Sequence, residues 1–292
     1  MTDAPQNMEE FYRDRFSGSF FVIKAGGRII TDEKARTDLL RTIQDFVSAN
    51  IKVMLVYGGG HAIDSALKKA DIKTTKKDGR RVTNALSMPV VQSVMSGDIA
   101  HQILCTMARI DFRHGVCLPA LPHGWTDIKL RPREKIDYGY DGTLPKVNAA
   151  PILSMLNSVP FIATPSLATS AENPVNINAD MAAVAIACWT QARKLIFLSD
   201  VDGVMIDDKK ASVLSDTEIK TYIDDGQIKG GMQVKMESCL DALDRGVRRI
   251  HLINGFKQGA LAREIYDPIG AGTMVVRESD KQRYLNEIKQ QQ

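Results

Sequence analysis

The sequence has no C-x-x-C pair; its four cysteines, Cys105, Cys117, Cys188 and Cys239, are widely spaced. That spacing argues against a zinc ribbon and against a disulfide framework, and reduced thiols in a cytoplasmic protein are the expectation. Five scattered histidines form no H-E-x-x-H, so the zinc-protease signature is missing. Neither G-x-x-x-x-G-K-[ST] nor G-x-G-x-x-G occurs, which removes the Walker-type phosphate loop and the dinucleotide fingerprint. No apolar run approaches the roughly 20 residues of a membrane span. The longest, Met181 to Trp189, is mostly small residues and suits a buried helix. The opening MTDAPQNMEE is polar and acidic, unlike a secretory leader. Net charge is only +3, too small for an electrostatic nucleic-acid binder.

What is present is the balance of an ordinary globule: 292 residues, 44% hydrophobic and 25% charged. That length predicts one large domain or two fused lobes, with a core that needs neither disulfide nor metal. Short β-like runs alternate with helical patterns. Phe20–Lys24, Lys52–Val56, Val116–Leu121, Pro160–Ala163, Lys194–Leu198, Arg249–Ile253 and Thr273–Val276 read as strands. Helices are expected over Thr31–Ala49, from near His61, over Met88–Ile110 as one long rod, over Asp180–Thr190 and over Met232–Arg245. Residues 122–145, rich in Pro, Gly, Asp and Tyr, read as an excursion with a hairpin. Alternation of this kind predicts an α/β fold whose mostly parallel sheet is covered on both faces. Ligands of such sheets bind beyond the carboxyl ends of the strands.

Four features stand at those ends. Gly26-Gly27 and Gly58-Gly59-Gly60 follow the first two strands, and glycine lets backbone N–H groups approach an anion. One such loop alone is a tight βα turn; two on neighbouring strands point to phosphate. Lys24 ends a buried strand, where it could meet phosphate as a point charge or simply snorkel outward. Asn176-Ile177-Asn178-Ala179-Asp180 places two amides on one side of an extended segment, with Asp180 read as the cap of the next helix. Gly230-Gly231 opens a helix carrying Lys235 in its early turns, a position where the helix dipole disfavours a cation. A solvated helix lysine is the alternative there.

Taken together, V-I-K-A-G-G, Y-G-G-G, R-V-T, N-I-N-A-D, S-D-V-D-G-V, G-G-M-x-V-K and G-A-G-T-M, spread over residues 20 to 276, resemble the amino acid kinase superfamily and, within it, the acetylglutamate kinase family. The resemblance implies a three-layer α/β/α sandwich with a mostly parallel central sheet. It implies an N-terminal helix (residues 1–18) as an oligomerisation candidate, an acceptor-binding lobe (19–180) and a nucleotide-binding lobe (181–292). The implied reaction is ATP-dependent phosphorylation, with Mg2+, of the side-chain carboxylate of N-acetyl-L-glutamate. The alternatives are another small carboxylate, carbamate or phosphate acceptor, or a catalytically silent arginine-binding regulator.

Residue by residue, the resemblance assigns Lys24 and Lys235 as catalytic lysines and Asp180 as the aspartate between them. Gly59, Gly60, Arg81, Asn176 and Asn178 fall to the acceptor, and Gly26, Gly27 and Gly58 to the phosphate loops. Asp200, Val201, Asp202, Gly203, Ile228 and Lys229 fall to the nucleotide. Glu264, Gly270 and Gly272 match an L-arginine effector site, which arginine-inhibited hexameric members combine with an N-terminal helix like Asn7–Phe16. No metal-ligand set, nucleic-acid partner or membrane partner is implied. This sequence departs from the family pattern at Tyr57, where histidine is common, at Arg28, at Pro268, and over Leu118–Trp125 and Pro165–Asn173.

Overall fold

The computed structural model describes residues 8–77, 80–132, 136–267 and 270–289. Asn7 and Pro268, both named above, lie outside the described residues. An eight-stranded sheet organises the chain. Its strands are β1 (Phe20–Ala25), β2 (Lys52–Tyr57), β3 (Gly115–Cys117), β4 (Phe161–Pro165), β5 (Lys194–Ser199), β6 (Val213–Ser215), β7 (Ile250–Asn254) and β8 (Thr273–Val276). They lie in the order β6-β8-β7-β5-β1-β2-β4-β3. Every neighbouring pair is parallel except β7 with β8. The apolar runs FFVIKA, KVMLVY and KLIFLS are buried almost throughout, as strands covered on both faces must be.

β1 sits between β2 and β5, so the chain leaves it to one side and returns on the other. That is a topological switch point, and its open crevice lies at the carboxyl end of β1. Two apolar cores flank the sheet. One packs Phe21, Ile23, Leu55 and Tyr57 against Leu40, Ile43, Phe46 and Met95. The other packs Val22, Val56 and Phe197 against Ala183, Ile186, Met236 and Cys239. This is the three-layer α/β/α sandwich expected. Among the described residues no helix is long and apolar enough to cross a membrane.

The excursion is a hairpin, Thr126–Leu130 paired antiparallel with Asp141–Val147; Asp141–Val147 in turn pairs with Pro174–Ile177. The rod expected over Met88–Ile110 is helical from Ser87 to Arg109, but residues Ser93–Ile99 widen into a π-type segment. The widening frees backbone carbonyls from the regular ladder, and Tyr57 Oη donates to that of Met95 at 3.1 Å. The N-terminal helix Met8–Phe16 packs on the core of its own chain. Tyr12 and Phe16 are buried, and Phe16 meets Phe21 edge-on, Phe21 meets Phe46, and Phe46 meets Tyr266 at 5.5–6.0 Å.

Candidate active site

At the carboxyl end of β1, Lys24 Nζ stands 2.8 Å from Asp180 Oδ1. Lys235 approaches the same carboxylate from the helix Gly230–Asp244, 3.7 Å from Oδ2. Asp180 is free for them because it is not the helix cap. Asn178 is, accepting from the N–H groups of Asp180 (3.0 Å) and Met181 (3.1 Å). This corrects the capping expected of Asp180: an N-cap oxygen reaches the second and third N–H of the helix, and Asn178 stands the right distance upstream. The two asparagines also part company. Asn178 spends its oxygen on the cap, while Asn176 Nδ2 donates to Thr83 Oγ1 at 3.2 Å.

Asp180 Oδ1 is shut off from solvent and makes no aligned hydrogen bond among the described residues, so its compensation is charge. Burial by itself pushes the carboxyl pKa up. Lys24, then Lys235, outweigh it and hold the group below the ordinary carboxylate range. One carboxylate shared by two ammonium groups leaves a net positive charge facing the crevice, as an anionic ligand requires.

Two glycine loops close around this cluster, and each needs its glycine. A Cβ on Gly27 would lie 3.0 Å from Gly60 N and 3.1 Å from Gly59 C, so the two loops are in backbone contact. A Cβ on Gly59 would lie 3.0 Å from Met95 Cγ, and one on Gly58 would reach the Ala179 Cβ at 3.4 Å. The helix Gly60–Lys69 begins there with no side-chain cap, leaving its first N–H groups turned toward the crevice. Gly26, the extended residue ahead of the short helix Gly27–Thr31, completes the loop.

On the β2 side, the Arg81 guanidinium is buried and donates to Thr74 Oγ1 (3.1 Å), to the Gly60 carbonyl (3.2 Å) and to Asp64. It therefore ties the short strand Arg80–Arg81 to the glycine triplet. Two further arginines that the sequence did not single out as site residues reach the same region. Arg80 Nη1 lies 3.1 Å and Arg131 Nη2 3.6 Å from the sulfur of Met181, next to Asp180. Arg80 was hidden in a short basic cluster and Arg131 in the excursion; only the fold joins them.

On the β5 side, Asp200 pairs with Arg28 across the crevice. Asp202 accepts from Asn254 Nδ2 (2.7 Å) and Lys257 Nζ (2.6 Å). Gly203 holds φ +141°, and a Cβ there would fall 2.5 Å from Thr273 Oγ1. Val201 and Lys229 are exposed, whereas the side chain of Ile228 is in the core, so only its backbone can face a ligand.

Glu264 lies elsewhere. It is buried on the helix Ala260–Tyr266, 2.6 Å from His251 Nδ1, and accepts from Ala271 N (2.6 Å) and Gly272 N (2.8 Å). A Cβ on Gly270 would strike its carboxylate at 2.6 Å. The carboxylate expected to face a guanidinium is thus turned inward onto its own loop.

The profile described as Amino acid kinase family matches residues 19–254. The chain belongs to the amino acid kinase family. It is 35% identical over 269 residues to the acetylglutamate kinase of Nitratiruptor sp., covering 90% of this chain and 93% of that one. With the acetylglutamate kinase of Methanocaldococcus jannaschii it shares 34% over 279 residues, covering 90% and 92%. Among solved structures, N-acetylglutamate synthase of Neisseria gonorrhoeae complexed with coenzyme A and N-acetyl-glutamate superposes with TM-score 0.83 at 22% identity over 93% of this chain. The chain spans 62% of that synthase's length. Carbamate kinase of Giardia lamblia bound to AMP-PNP superposes with TM-score 0.64 at 14% identity, covering 89% and 99%. These last two likenesses concern the fold.

Within this amino acid kinase, two departures acquire a physical account. Tyr57 is fully buried under the π-type segment, with Oη near Met95 O and 3.7 Å from Cys117 Sγ, and burial raises the pKa of its phenol. It is a packing residue. Arg28 faces Asp200 over the crevice and so bridges the loops after β1 and β5.

Proposed function

We propose that this chain transfers the γ-phosphoryl group of ATP to the side-chain carboxylate of N-acetyl-L-glutamate, forming an acyl phosphate on the route to arginine. The observation that carries the reading is the Lys24–Asp180–Lys235 cluster, set between two glycine loops in contact at the switch point. A carboxylate acceptor is ionised at neutral pH and needs no general base. The chemical demand is to bring two anions together and to stabilise the migrating phosphoryl group. Lys24 and Lys235 meet it with fixed positive charge, and Asp180 holds both ammonium groups in register.

In this reading residues 19–180 serve the acceptor. Gly59, Gly60, Arg81 and Asn176 form its seat, with Asn178 acting indirectly by fixing the turn that aims Asp180. Gly26 and Gly27 offer backbone N–H groups to the phosphates, while Gly58, whose N–H donates to the Ala25 carbonyl at 3.2 Å, lets the second loop pass close to them. Residues 181–292 serve the nucleotide, with Asp200 to Gly203 and the backbone of Ile228 and Lys229 around it. Among the described residues no three carboxylate, histidine or cysteine side chains gather as a metal site, so Mg2+ would arrive on the ATP phosphates. There it supplies charge neutralisation between the phosphate oxygens. Free thiols at all four cysteines suit a reducing cytoplasm.

A second acceptor reading, another small carboxylate, is favoured by one observation. The two segments that depart from the family pattern pair with each other: Leu121 N donates to Leu167 O at 2.8 Å, and Thr169 N to Leu121 O at 3.2 Å. ADP release over a panel of small carboxylates decides. Turnover with N-acetyl-L-glutamate is expected, and turnover on another acceptor with none on this one removes the first reading while keeping the kinase.

The regulatory part is a hexamer built from dimers joined through the N-terminal helix and inhibited by L-arginine near Glu264, Gly270 and Gly272. Sizing and assay of the full chain against one beginning at Gly18 test it. A dimeric full chain, or activity unchanged by arginine, ends this part alone.

A further inference from the structure

The smaller sheet beside the crevice carries an ion pair that the reading above does not use. Arg131 follows the strand Thr126–Leu130, and its N–H donates to the Asp141 carbonyl at 3.1 Å. That sets Arg131 opposite Asp141 across the hairpin. Asp141 pairs in parallel register with Asn176 on its other side. Side chains of paired neighbours on adjacent strands stand on one face of a sheet. Arg131, Asp141 and Asn176 therefore form a row, and the end of that row is the asparagine of the acceptor seat.

The row is held firmly. Asp141 is buried, and Arg131 Nε donates to its Oδ2 at 2.7 Å. A Cβ on Gly142 would strike Val175 Cγ1 at 2.5 Å and the Lys129 carbonyl at 2.9 Å, so three strands meet closely beside the pair. Leu144 and Val147 of the hairpin share a core with Ala182 and Ala183 of the helix Ala179–Trp189. The arm is thus packed on the helix that carries Asp180. Burial raises the Asp141 carboxyl, and Arg131, then Arg80, oppose the rise, so both arginines lie within electrostatic reach of it.

The Arg131 guanidinium is tied by one edge only. Among the described residues its Nη2 meets the sulfur of Met181 at 3.6 Å, and its Nη1 has no hydrogen-bond partner. A thioether sulfur is a weak acceptor, so this edge keeps its donors. Arg81 is different: its side chain is 6% exposed and donates to Thr74, Gly60 and Asp64, whereas that of Arg131 is 20% exposed. Met181 follows Asp180, with Cα atoms about 3.8 Å apart. The open edge of Arg131 accordingly stands beside the Lys24–Asp180–Lys235 cluster, on the side of the acceptor seat.

We propose that Arg131 is a specificity-determining residue whose open Nη edge takes the second carboxylate of a dicarboxylate acceptor, while the first faces Lys24 and Lys235. Asp141 is its positioning residue, fixing the direction of that edge through Nε. The two parallel N–H groups of a guanidinium match the two oxygens of a carboxylate. The inference rests on the phosphoryl transfer proposed above and adds a reason for preferring a dicarboxylate over its monoamide.

The test compares initial rates on N-acetyl-L-glutamate and on its α-amide at saturating ATP. Arg131→Ala should raise the KM for N-acetyl-L-glutamate by about 10- to 100-fold, the scale of a hydrogen bond to a charged group. The α-amide KM, the ATP KM and kcat should each change by less than about threefold, so the preference for the dicarboxylate collapses. Arg131→Lys should recover part of it, because lysine keeps the charge and loses the fork. Asp141→Asn should shift KM in the same direction by less. Removing Arg131 alone leaves a buried carboxylate unpaired, so Arg131→Met combined with Asp141→Leu provides a variant without that burden, checked by Tm. An unchanged acceptor KM in these variants, or an equal loss on both acceptors, overturns the proposal. A wild type that turns over only monoanionic acceptors overturns it too. Turnover of a different dicarboxylate, with none of N-acetyl-L-glutamate, ends the acceptor reading alone; the same comparison on that dicarboxylate and its monoamide then decides Arg131.

Discussion

Two buried lysine–carboxylate clusters stand at opposite ends of the central strands, and they are built differently. Lys24, Asp180 and Lys235 place two cations on one carboxylate, with one carboxylate oxygen lacking an aligned hydrogen bond among the described residues. At the other end, Lys194 Nζ lies 3.3 Å from His251 Nε2, and His251 Nδ1 lies 2.6 Å from Glu264. Glu264 also takes two backbone N–H groups. Burial, then the charge of Lys194, holds His251 down to about 4, so at neutral pH it is uncharged. It then donates from Nδ1 and accepts at Nε2, the tautomer that satisfies both neighbours. The first cluster keeps surplus charge for a ligand; the second uses its bonding capacity internally. Residue type alone does not make a site. Surplus charge beside an opening does.

The comparison breaks most sharply at the first cluster. Lys24→Ala and Lys235→Ala should each reduce turnover by about 10²–10³ while circular dichroism and Tm show the fold retained, because a preorganised charge donor contributes on that scale. Near wild-type turnover in either would make that lysine structural.

Acid should sharpen the contrast at the second cluster. His251 titrates at about 4 in the folded chain against 6.5 unfolded, so unfolding takes up a proton between those values. Stability should therefore fall as pH drops from about 6.5 toward 4, by up to about 3 kcal/mol at 1.36 kcal/mol per pKa unit. Urea unfolding of the wild type and of His251→Gln across that window checks the sign. A Gln variant with the same slope would assign the acid sensitivity elsewhere.

Smaller effects probe what surrounds the first cluster. Arg81→Ala should raise the acceptor KM about tenfold or more with a lesser change for ATP, read from initial rates, since a buried arginine fork contributes ground-state binding. A defect confined to ATP would move Arg81 out of the acceptor seat. Asn178→Ala removes a cap and should lower stability by about 1 kcal/mol in urea unfolding. It should also reduce turnover slightly, because the turn it fixes aims Asp180.

Periodicity and strand-end glycines fixed most of the plan in advance. FFVIKA, KVMLVY and KLIFLS read as two-sided strands because burial on both faces removes polar alternation, and the glycine loops declared themselves because only glycine permits their backbone contact. Other features were illegible for equally physical reasons. Asn178 and Asp180 are both good caps by type, and the choice between them is made by two distant lysines that draw the Asp180 carboxylate and leave the cap to the Asn178 amide. A π-type widening leaves no mark in helical spacing, and its contact with a tyrosine hydroxyl 38 residues away is visible only in the fold. Arg80, on the short strand Arg80–Arg81, and Arg131, just after the hairpin strand Thr126–Leu130, gather at Met181 from separate segments whose meeting composition does not encode.

The sequence by itself determined the strands, the switch-point loops and the residues that carry charge at their ends, because those follow from local pattern and backbone sterics. Which carboxylate pairs with which lysine, and whether Glu264 faces outward or inward, were decided only by tertiary structure. Electrostatic energy depends on distance through space, and sequence separation does not specify that distance.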